Sequence, residues 1–359
     1  MQGAATHEPA AGRLALLAYA GSMSPRPTDP ASPAAFPAAR PRRLRHTAAL
    51  RDAVRETSLA PGDLVAPLFV KEGLDEPQAV PSLPGVQQHT VDSLLAEAKE
   101  LRALGIRTLL LFGIPAHKDA DGSEAWNPDG ILQRALAALR EAYGHDLVLA
   151  ADTCLDEYTD HGHCGPLDSA GHVRNDDANE GYARAAVSQA RAGADLVAPS
   201  GMMDGQVAAI RRALDEAGFA ERTAIMSYCT KYASVLYGPF RDVAESAPST
   251  GDRRGYQLDP ANADEGVREA LADAGEGADV LLVKPATAYL DLVHRVKEAT
   301  GLPLAAYHVS GEYAMLQAAA ERGWIDGPAV AEEVALSLRR AGADLVITYA
   351  AAEIARRLA

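Results

Sequence analysis

The sequence predicts an α/β protein in which eight parallel strands and their helices form a (β/α)8 barrel. From residue 63 onward, short apolar segments alternate eight times with amphipathic segments, as in successive βα units. Three connections between a predicted helix and the next strand, at 192–195, 276–279 and 341–344, end in the sequence Gly-Ala-Asp, and we call them the Gly-Ala-Asp joins. Each places a helix-stopping glycine before an apolar strand. We find neither a G-x-G-x-x-G turn after a strand nor a Walker loop, so the competing doubly wound sheet is disfavoured.

The individual elements follow from apolar runs and their stop signals. Unbroken apolar runs are typical of parallel strands buried on both faces, and glycines mark several helix ends. Strands are predicted at 63–70, 106–112, 146–151, 195–200, 223–228, 279–283, 302–308 and 344–349. Helices are predicted near 91–103, 128–142, 178–192, 204–217, 263–274, 288–299, 312–322 and 328–341, and one more closes the chain.

The composition limits the classes of protein to consider. The chain has 359 residues, 48% of them hydrophobic, which suffices for one large barrel or two ordinary domains. A net charge of −15 argues against nucleic acid or an anionic membrane as a partner. Three cysteines indicate a reducing compartment, and we therefore expect a cytoplasmic protein. No apolar run reaches membrane-spanning length.

The chain divides into three parts. Residues 1–40 are rich in proline and alanine without a period, so we expect a disordered extension, or a start codon placed too early. Residues 41–62 are expected to form an N-terminal arm, and 63–359 the barrel. The basic run at 40–45 is either solvated or part of an arm that grips a neighbouring subunit.

Polar side chains are concentrated where the predicted strands end. In a (β/α)8 barrel the C-terminal strand ends form the active site, whereas a purely structural barrel would not need this concentration. The residues are Asp152, Cys154, Asp156, His161, His163, Cys164, Ser200, Asp204, Ser227, Tyr228, Cys229, Lys231, Lys284, Tyr307, His308, Ser310 and Tyr349.

Two lysines stand at adjacent strand ends. Lys284 follows the apolar run 280–283, and Pro285 forbids further ladder pairing. A lysine there must be partnered, neutral through desolvation, or able to extend its ammonium to solvent. Close ammonium groups repel, so we expect Lys231 or Lys284 to lose its proton near neutral pH. A neutral amine is a nucleophile for carbonyl carbon, which makes both lysines Schiff-base candidates.

Several longer stretches carry a family resemblance. Met226-Ser-Tyr-Cys-Thr-Lys-Tyr-Ala-Ser-Val-Leu-Tyr-Gly-Pro-Phe-Arg-Asp242, Ala198-Pro-Ser-Gly-Met-Met-Asp-Gly205, Val283-Lys-Pro-Ala286 and Tyr307-His-Val-Ser-Gly-Glu-Tyr313 resemble the porphobilinogen synthases, also called 5-aminolevulinate dehydratases. The resemblance runs from about residue 42 to the C terminus. It implies a TIM barrel with an N-terminal arm and a homo-oligomer, an octamer. The implied enzyme is a lyase of tetrapyrrole (haem) biosynthesis that condenses two 5-aminolevulinate molecules into porphobilinogen and releases two waters.

The resemblance also implies roles for individual residues. Lys284 would bind the first substrate as a Schiff base, while Lys231 would form a second imine or hold the second ketone. The segment 235–257 would act as a lid that excludes water.

Charged and hydroxyl side chains would bind the two substrate carboxylates. Arg241 and Arg253 match positions that grip the carboxylate of the second substrate, and Gln257 would assist. Ser310 and Tyr349 match the pair that holds the carboxylate of the first. Spacing alone favours a surface charge for each arginine, and only the match to the family motif reverses that interpretation.

Two metal sites are implied. Zinc-dependent relatives carry three cysteines at positions matching Cys154, Asp156 and Cys164, so this loop is a hybrid that can still bind Zn2+. A metal-free loop or a regulatory disulfide is the alternative. Glu265 matches a glutamate that binds an allosteric Mg2+ at a subunit interface. Its alternative role is that of an acid favoured at a helix N terminus.

Three other functions remain open at this stage. A class I aldolase-type barrel would also use a Schiff-base lysine. A metallohydrolase would use the Asp, His and Cys residues of the 152–164 loop but would leave Lys284 unexplained. A non-catalytic barrel serving as a binding subunit would be signalled by a lost lysine, yet both lysines are present.

Overall fold

The computed structural model describes Pro37 and residues 39–359. The predicted disorder of residues 1–40 therefore falls almost entirely outside the described residues. The chain separates into one compact unit from Thr57 to Ala359 and another that ends at Glu56. Within the latter, a 3-10 turn at Pro41–Arg45 is followed by helix α1 (Ala48–Ala53), whose N terminus is capped by the Thr47 hydroxyl.

The larger unit alternates strands and helices throughout. The strands are β1 (Leu64–Lys71), β2 (Gln78–Ala79), β3 (Gln87–His89), β4 (Thr108–Ile114), β5 (Val148–Thr153), β6 (Leu196–Pro199), β7 (Ala224–Lys231), β8 (Val280–Lys284), β9 (Leu304–His308) and β10 (Leu345–Thr348). The helices of this unit are α2 (Val91–Ala103), α3 (Ile131–Tyr143), α4 (Asn175–Ala192), α5 (Gln206–Glu216), α6 (Gly238–Val243), α7 (Ala263–Glu276), α8 (Leu290–Thr300), α9 (Ser310–Glu321), α10 (Gly327–Ala341) and α11 (Ala351–Leu358). Among the described residues, no helix combines the length and apolarity needed to cross a membrane.

Eight parallel strands close into a barrel, which confirms the predicted fold class. The order β1-β4-β5-β6-β7-β8-β9-β10 returns to β1 through a parallel β10–β1 pairing. The short strands β2 and β3 were not predicted; β3 pairs in parallel with the end of β1, and β2 pairs antiparallel to β3. Because the barrel strands are parallel, their C-terminal ends meet at one rim.

The strand boundaries differ from the predicted ones for a local reason. β4 and β5 each begin two residues later than predicted. The amide of Ile106 still bonds back to the carbonyl of Leu101 in the preceding helix, so residue 106 belongs to the turn. β7 runs three residues beyond the predicted end at 228, so it includes Lys231.

The repeated aspartates of the Gly-Ala-Asp joins share one contact at the N-terminal rim. Each carboxylate accepts a hydrogen bond of 2.8 Å from an amide at the start of the preceding strand, which leaves that buried donor satisfied. The amide and carboxylate pairs are Leu149 with Asp195, Ile225 with Asp279 and Leu304 with Asp344.

The glycines of the same joins have a shared role. Each takes positive φ (109°, 106° and 123°) after a helix and lies against a cationic side chain, where a Cβ would come within about 3.2 Å. That cation also pairs with the aspartate of the join. The pairs are Arg140–Asp195 at 2.6 Å, Arg211–Asp279 at 3.9 Å and Lys297–Asp344 at 2.7 Å. The same glycine, cation and aspartate contacts therefore connect a helix, its following turn and two strands at three places.

Candidate active site

The two predicted lysines lie side by side at the C-terminal rim. Lys231 on β7 and Lys284 on β8 are direct register partners, and each is only 4% exposed. The Nζ of Lys231 donates a hydrogen bond to the backbone carbonyl of Ser200 at the end of β6. Lys284 is too deeply buried for its ammonium to reach solvent, so the solvent-extended alternative is wrong.

Lys284 is enclosed by aromatic rings. Its Nζ lies 4.7 to 5.2 Å from the ring centroids of Tyr228, Tyr237, Phe240 and Tyr307. Burial, reinforced by the positive charge of Lys231, lowers the pKa of Lys284 to about 7. A large fraction of this amine is therefore neutral near physiological pH, as nucleophilic attack requires.

A bulge in β7 turns both of its site residues into the barrel. Side chains three positions apart on a regular strand face opposite sides, yet the Nζ of Lys231 lies 5.6 Å from the ring of Tyr228. The pairing of β7 with β8 slips between Ser227 and Thr230, which supplies the extra residue.

Asp152 places a carboxyl group beside the lysines. Its Oδ2 accepts a hydrogen bond of 3.3 Å from the Ser200 hydroxyl, while Oδ1 is buried with no hydrogen-bond partner among the described residues. Burial raises the pKa of Asp152 to about 7, although the charges of Lys231 and Lys284 oppose the shift. Such a carboxyl can hold or release a proton near neutral pH.

The hybrid loop brings its three candidate ligands together. One ligand atom from each of Cys154, Asp156 and Cys164 lies within 4.8 Å of the others, and all three side chains are buried. Both thiols are free, so the disulfide alternative is not formed. Two sulfurs and one carboxylate are an acceptable donor set for Zn2+, and these residues fit that ion.

Asp156 has a second neighbour that the sequence did not reveal. Its Oδ2 lies 2.8 Å from the guanidinium of Arg253, and both side chains are at most 4% exposed. The same arginine donates to the carbonyls of Gly162 at 2.8 Å and Ser246 at 2.6 Å. Burial alone would raise the pKa of Asp156, but Arg253 and Lys231 hold it well below its usual range. Arg253 thus ties the hybrid loop to the predicted lid.

The lid packs closely against the hybrid loop and the barrel. Gly162 has φ of 70°, and a Cβ there would lie 2.4 Å from the carbonyl oxygen of Ala247, so only glycine permits this approach. Phe240 of α6 packs on Phe69 and Phe112, with ring centroids 5.9 and 5.3 Å apart. Residues of this predicted lid also lie against Lys284, through the rings of Tyr237 and Phe240.

The remaining predicted substrate residues differ in their surroundings. Gln257 is buried, and neither of its side-chain polar atoms has a hydrogen-bond partner in the described part of the chain. Arg241 is half-buried, and its Nε is likewise unpartnered there. Ser310 accepts a hydrogen bond from the Phe240 amide, and the Tyr349 hydroxyl lies 3.2 Å from that of Tyr307. Unpartnered buried groups of this kind are suited to a polar ligand.

Glu157 is a buried residue of the site that was not predicted from the sequence. This side chain is 2% exposed, and neither carboxylate oxygen has a hydrogen-bond partner among the described residues. Burial, together with Asp156 and Asp152, raises the pKa of Glu157 well above its usual range. One of its oxygens also lies within 4.8 Å of ligand atoms of Asp152 and Cys154. Its position next to Asp156 was visible, but its inward orientation was not.

Glu265 lies apart from the lysines, at the start of α7. Its Oε2 accepts a hydrogen bond of 2.8 Å from Asn262, and it lines a cleft of about 910 Å³ with Asp204, Asp259 and Glu269. Neither three-residue ligand group of the described chain includes Glu265. Carboxylates that line an open cleft fit a largely hydrated Mg2+.

Other residues near the strand ends have partners other than the two lysines. Ser227 donates to Asp273 of α7, and the Cys229 thiol lies 3.5 Å from the Leu282 carbonyl. His308 contacts Thr348, while His163 contacts Thr250 and Tyr256. Neither histidine belongs to a ligand group of the described residues, which weakens the metallohydrolase hypothesis.

Together, a (β/α)8 barrel and two buried, adjacent lysines define a class of enzymes that bind carbonyl substrates as Schiff bases. The model of the family described as delta-aminolevulinic acid dehydratase matches residues 38–357. The chain belongs to the delta-aminolevulinic acid dehydratase family of hydro-lyases, which confirms the resemblance and excludes the other enzyme classes considered.

Individual relatives agree with this assignment. The chain is 55% identical to the delta-aminolevulinic acid dehydratase of Synechococcus elongatus, over 90% of this chain and 100% of the relative. It is 52% identical to that of Bacillus subtilis, over 89% and 98%. A solved structure of the Toxoplasma gondii delta-aminolevulinic acid dehydratase (porphobilinogen synthase), in complex with the product porphobilinogen, matches with a TM-score of 0.87 and 47% identity, over 89% of this chain and 91% of that one.

Proposed function

We propose that this barrel condenses two molecules of 5-aminolevulinate into porphobilinogen and two waters, the step of tetrapyrrole (haem) biosynthesis that its family performs. The observation that carries the chemistry is the pairing of two buried lysines, one with a pKa of about 7, at neighbouring strand ends. A ketone substrate needs such a neutral amine for attack, and two ketones need two positions.

Lys284 is the proposed site of the first substrate. Its Nζ attacks the ketone carbon, water leaves, and the resulting iminium withdraws electrons so that a neighbouring carbon can lose a proton. Asp152 can exchange that proton through Oδ1, the oxygen without a partner in the described chain. Lys231 lies next to this position and would form a second imine or hold the ketone of the second substrate.

The carboxylates of the two substrates need separate binding groups. Arg241, Arg253 and Gln257 would bind the carboxylate of the second substrate from the lid side. Ser310 and Tyr349 would bind that of the first. The unpartnered Nε of Arg241 and the unpartnered amide of Gln257 in the described structure support this division.

The metals are also part of the proposal. Cys154, Asp156 and Cys164 would hold Zn2+, which acts as a Lewis acid on a substrate oxygen when bound. Glu265 would hold an allosteric Mg2+ between subunits of a homo-octamer. Leu44, Leu50 and Val54, in the unit that ends at Glu56, are exposed apolar residues that suit subunit contacts. Free thiols at 154 and 164 suit a reducing, cytoplasmic setting.

One assay tests the reaction and its nucleophile together. The purified chain is incubated with 5-aminolevulinate, and the product is detected by a colour test for pyrroles. We expect turnover in the parent, none in Lys284→Ala, and parental rates in Lys99→Ala, an exposed lysine control. Borohydride added with substrate should trap an adduct on Lys284 in the parent. Trapping only at another lysine would overturn the assignment, and the absence of pyrrole would overturn the function.

A further inference from the structure

Several contacts converge on Glu245, which lies just beyond the C-terminal end of helix α6 in the predicted lid. Glu245 has φ of 52°, and only one other non-glycine residue of the described chain, Met202, has positive φ. A glutamate in this region is strained, and such strain persists only where surrounding contacts compensate for it. The contacts at Glu245 are therefore informative about what the fold holds in place.

Three barrel residues converge on this position from separate elements. Lys71, the last residue of β1, forms an ion pair with the Glu245 carboxylate. Gln88 of β3 donates to the same oxygen at 3.1 Å and to the carbonyl of Val243 at 2.8 Å. Lys118, in the loop after β4, donates to the backbone carbonyl of Glu245 at 2.6 Å. Side chain and backbone of one residue are thus bound from three directions.

The substrate arginines of the lid lie next to these contacts. The Ser246 carbonyl accepts the 2.6 Å hydrogen bond from Arg253, and the Ser246 amide bonds to the carbonyl of Arg241. Any movement of Glu245 would therefore be transmitted directly to both arginines. Phe240, in the preceding helix, also covers Lys284.

We infer that Glu245 is a positioning residue that latches the lid shut, with Lys71 and Gln88 as its receptors on the barrel. The inference rests on the proposed function. In the closed state the latch keeps Arg241 and Arg253 directed at the second substrate. The latch contacts neither Lys231 nor Lys284, and it contacts no reacting atom. Loss of the latch should therefore weaken binding of the second substrate without removing imine chemistry.

Glu245→Gly separates latching from folding. Glycine adopts positive φ without strain, so this variant keeps the backbone and removes only the carboxylate. We expect KM to rise about five- to tenfold, as for loss of one charge-assisted contact pair, with kcat within about twofold of the parent. Lys71→Met should raise KM similarly, and the double variant should be no worse than Glu245→Gly, because both changes open one latch. Glu332→Gln, which breaks a distant surface ion pair with Arg357 at 2.9 Å, is the matched control.

Limited proteolysis, melting temperature and borohydride trapping complement the measurement of KM. Limited proteolysis should show faster cleavage within 235–257 in both latch variants, at an unchanged or higher melting temperature for Glu245→Gly. Borohydride trapping at Lys284 should remain. Parental KM in both variants, or a lower melting temperature with a smaller active fraction and unchanged KM, would overturn the latch. A parent that forms no pyrrole would instead overturn the proposed function.

Discussion

Lys231 and Lys284 are opposite each other in the register of two parallel strands, so two amino groups share one buried wall of the barrel. Each is 4% exposed. The positive charge of Lys231 adds to burial in lowering the pKa of Lys284. The pair therefore supplies the proposed nucleophile and is expected to set the pH range in which that nucleophile works.

The first prediction concerns that pH range. Imine formation at Lys284, measured in a single turnover, should increase with pH through about 7 and then level off, because only the neutral amine attacks. Lys231→Met removes a like charge, which raises the pKa of Lys284 and moves the midpoint to higher pH. A midpoint that stays in place in the variant would contradict the electrostatic coupling.

The second prediction compares the two lid arginines. Arg253→Ala leaves Asp156 buried without its ion-pair partner, so the free energy of unfolding should fall by about 3–5 kcal/mol. Arg241 forms no ion pair within the described residues, so Arg241→Ala should change the free energy of unfolding by less than about 1 kcal/mol. Both variants should weaken binding of the second substrate by about 2 kcal/mol or more. Denaturant titration and steady-state kinetics provide the two measurements, and parental kinetics would make that arginine dispensable.

The third prediction concerns zinc. Asp156→Cys supplies a third thiolate beside Cys154 and Cys164, so zinc content should rise above that of the parent. The same change removes the carboxylate that pairs with Arg253, and the unfolding free energy of the metal-free variant should therefore fall. Metal analysis and metal-free denaturation test the two effects separately. Equal zinc content in parent and variant would contradict the ligand assignment.

The fourth prediction concerns magnesium. Mild EDTA should lower activity, and Mg2+ should restore most of it together with a change in oligomer size, because the Glu265 site is expected between subunits. Glu265→Ala should abolish this response and leave borohydride trapping at Lys284 intact. Asp156→Cys should keep the response. Recovery with Zn2+ alone, combined with parental behaviour of Glu265→Ala, would show that the hybrid loop is an obligate zinc site instead.

Whether a feature could be predicted from the sequence depends on how far apart in the chain its interacting residues lie. The barrel and the rim position of Lys284 were predictable because apolar runs and strand order are local patterns. The contact of Arg253 with Asp156 was not, because it joins two irregular loops about a hundred residues apart in sequence, a separation that no local period encodes. The bulge that places Tyr228 and Lys231 on one side of β7 was also hidden, since regular alternation predicts opposite sides.

The Gly-Ala-Asp joins have a consequence for the order in which the chain folds. Their aspartate contacts span 40 to 54 residues, whereas closure of the barrel pairs Leu64 with Val346. Because loop-closure entropy grows with separation, two-stranded pieces held by these joins can form before the first and last strands meet. In pulse-labelled hydrogen exchange during refolding, we expect the amides of Leu149, Ile225 and Leu304 to gain protection before those that pair β1 with β10. Simultaneous protection everywhere would argue for a single concerted closure instead.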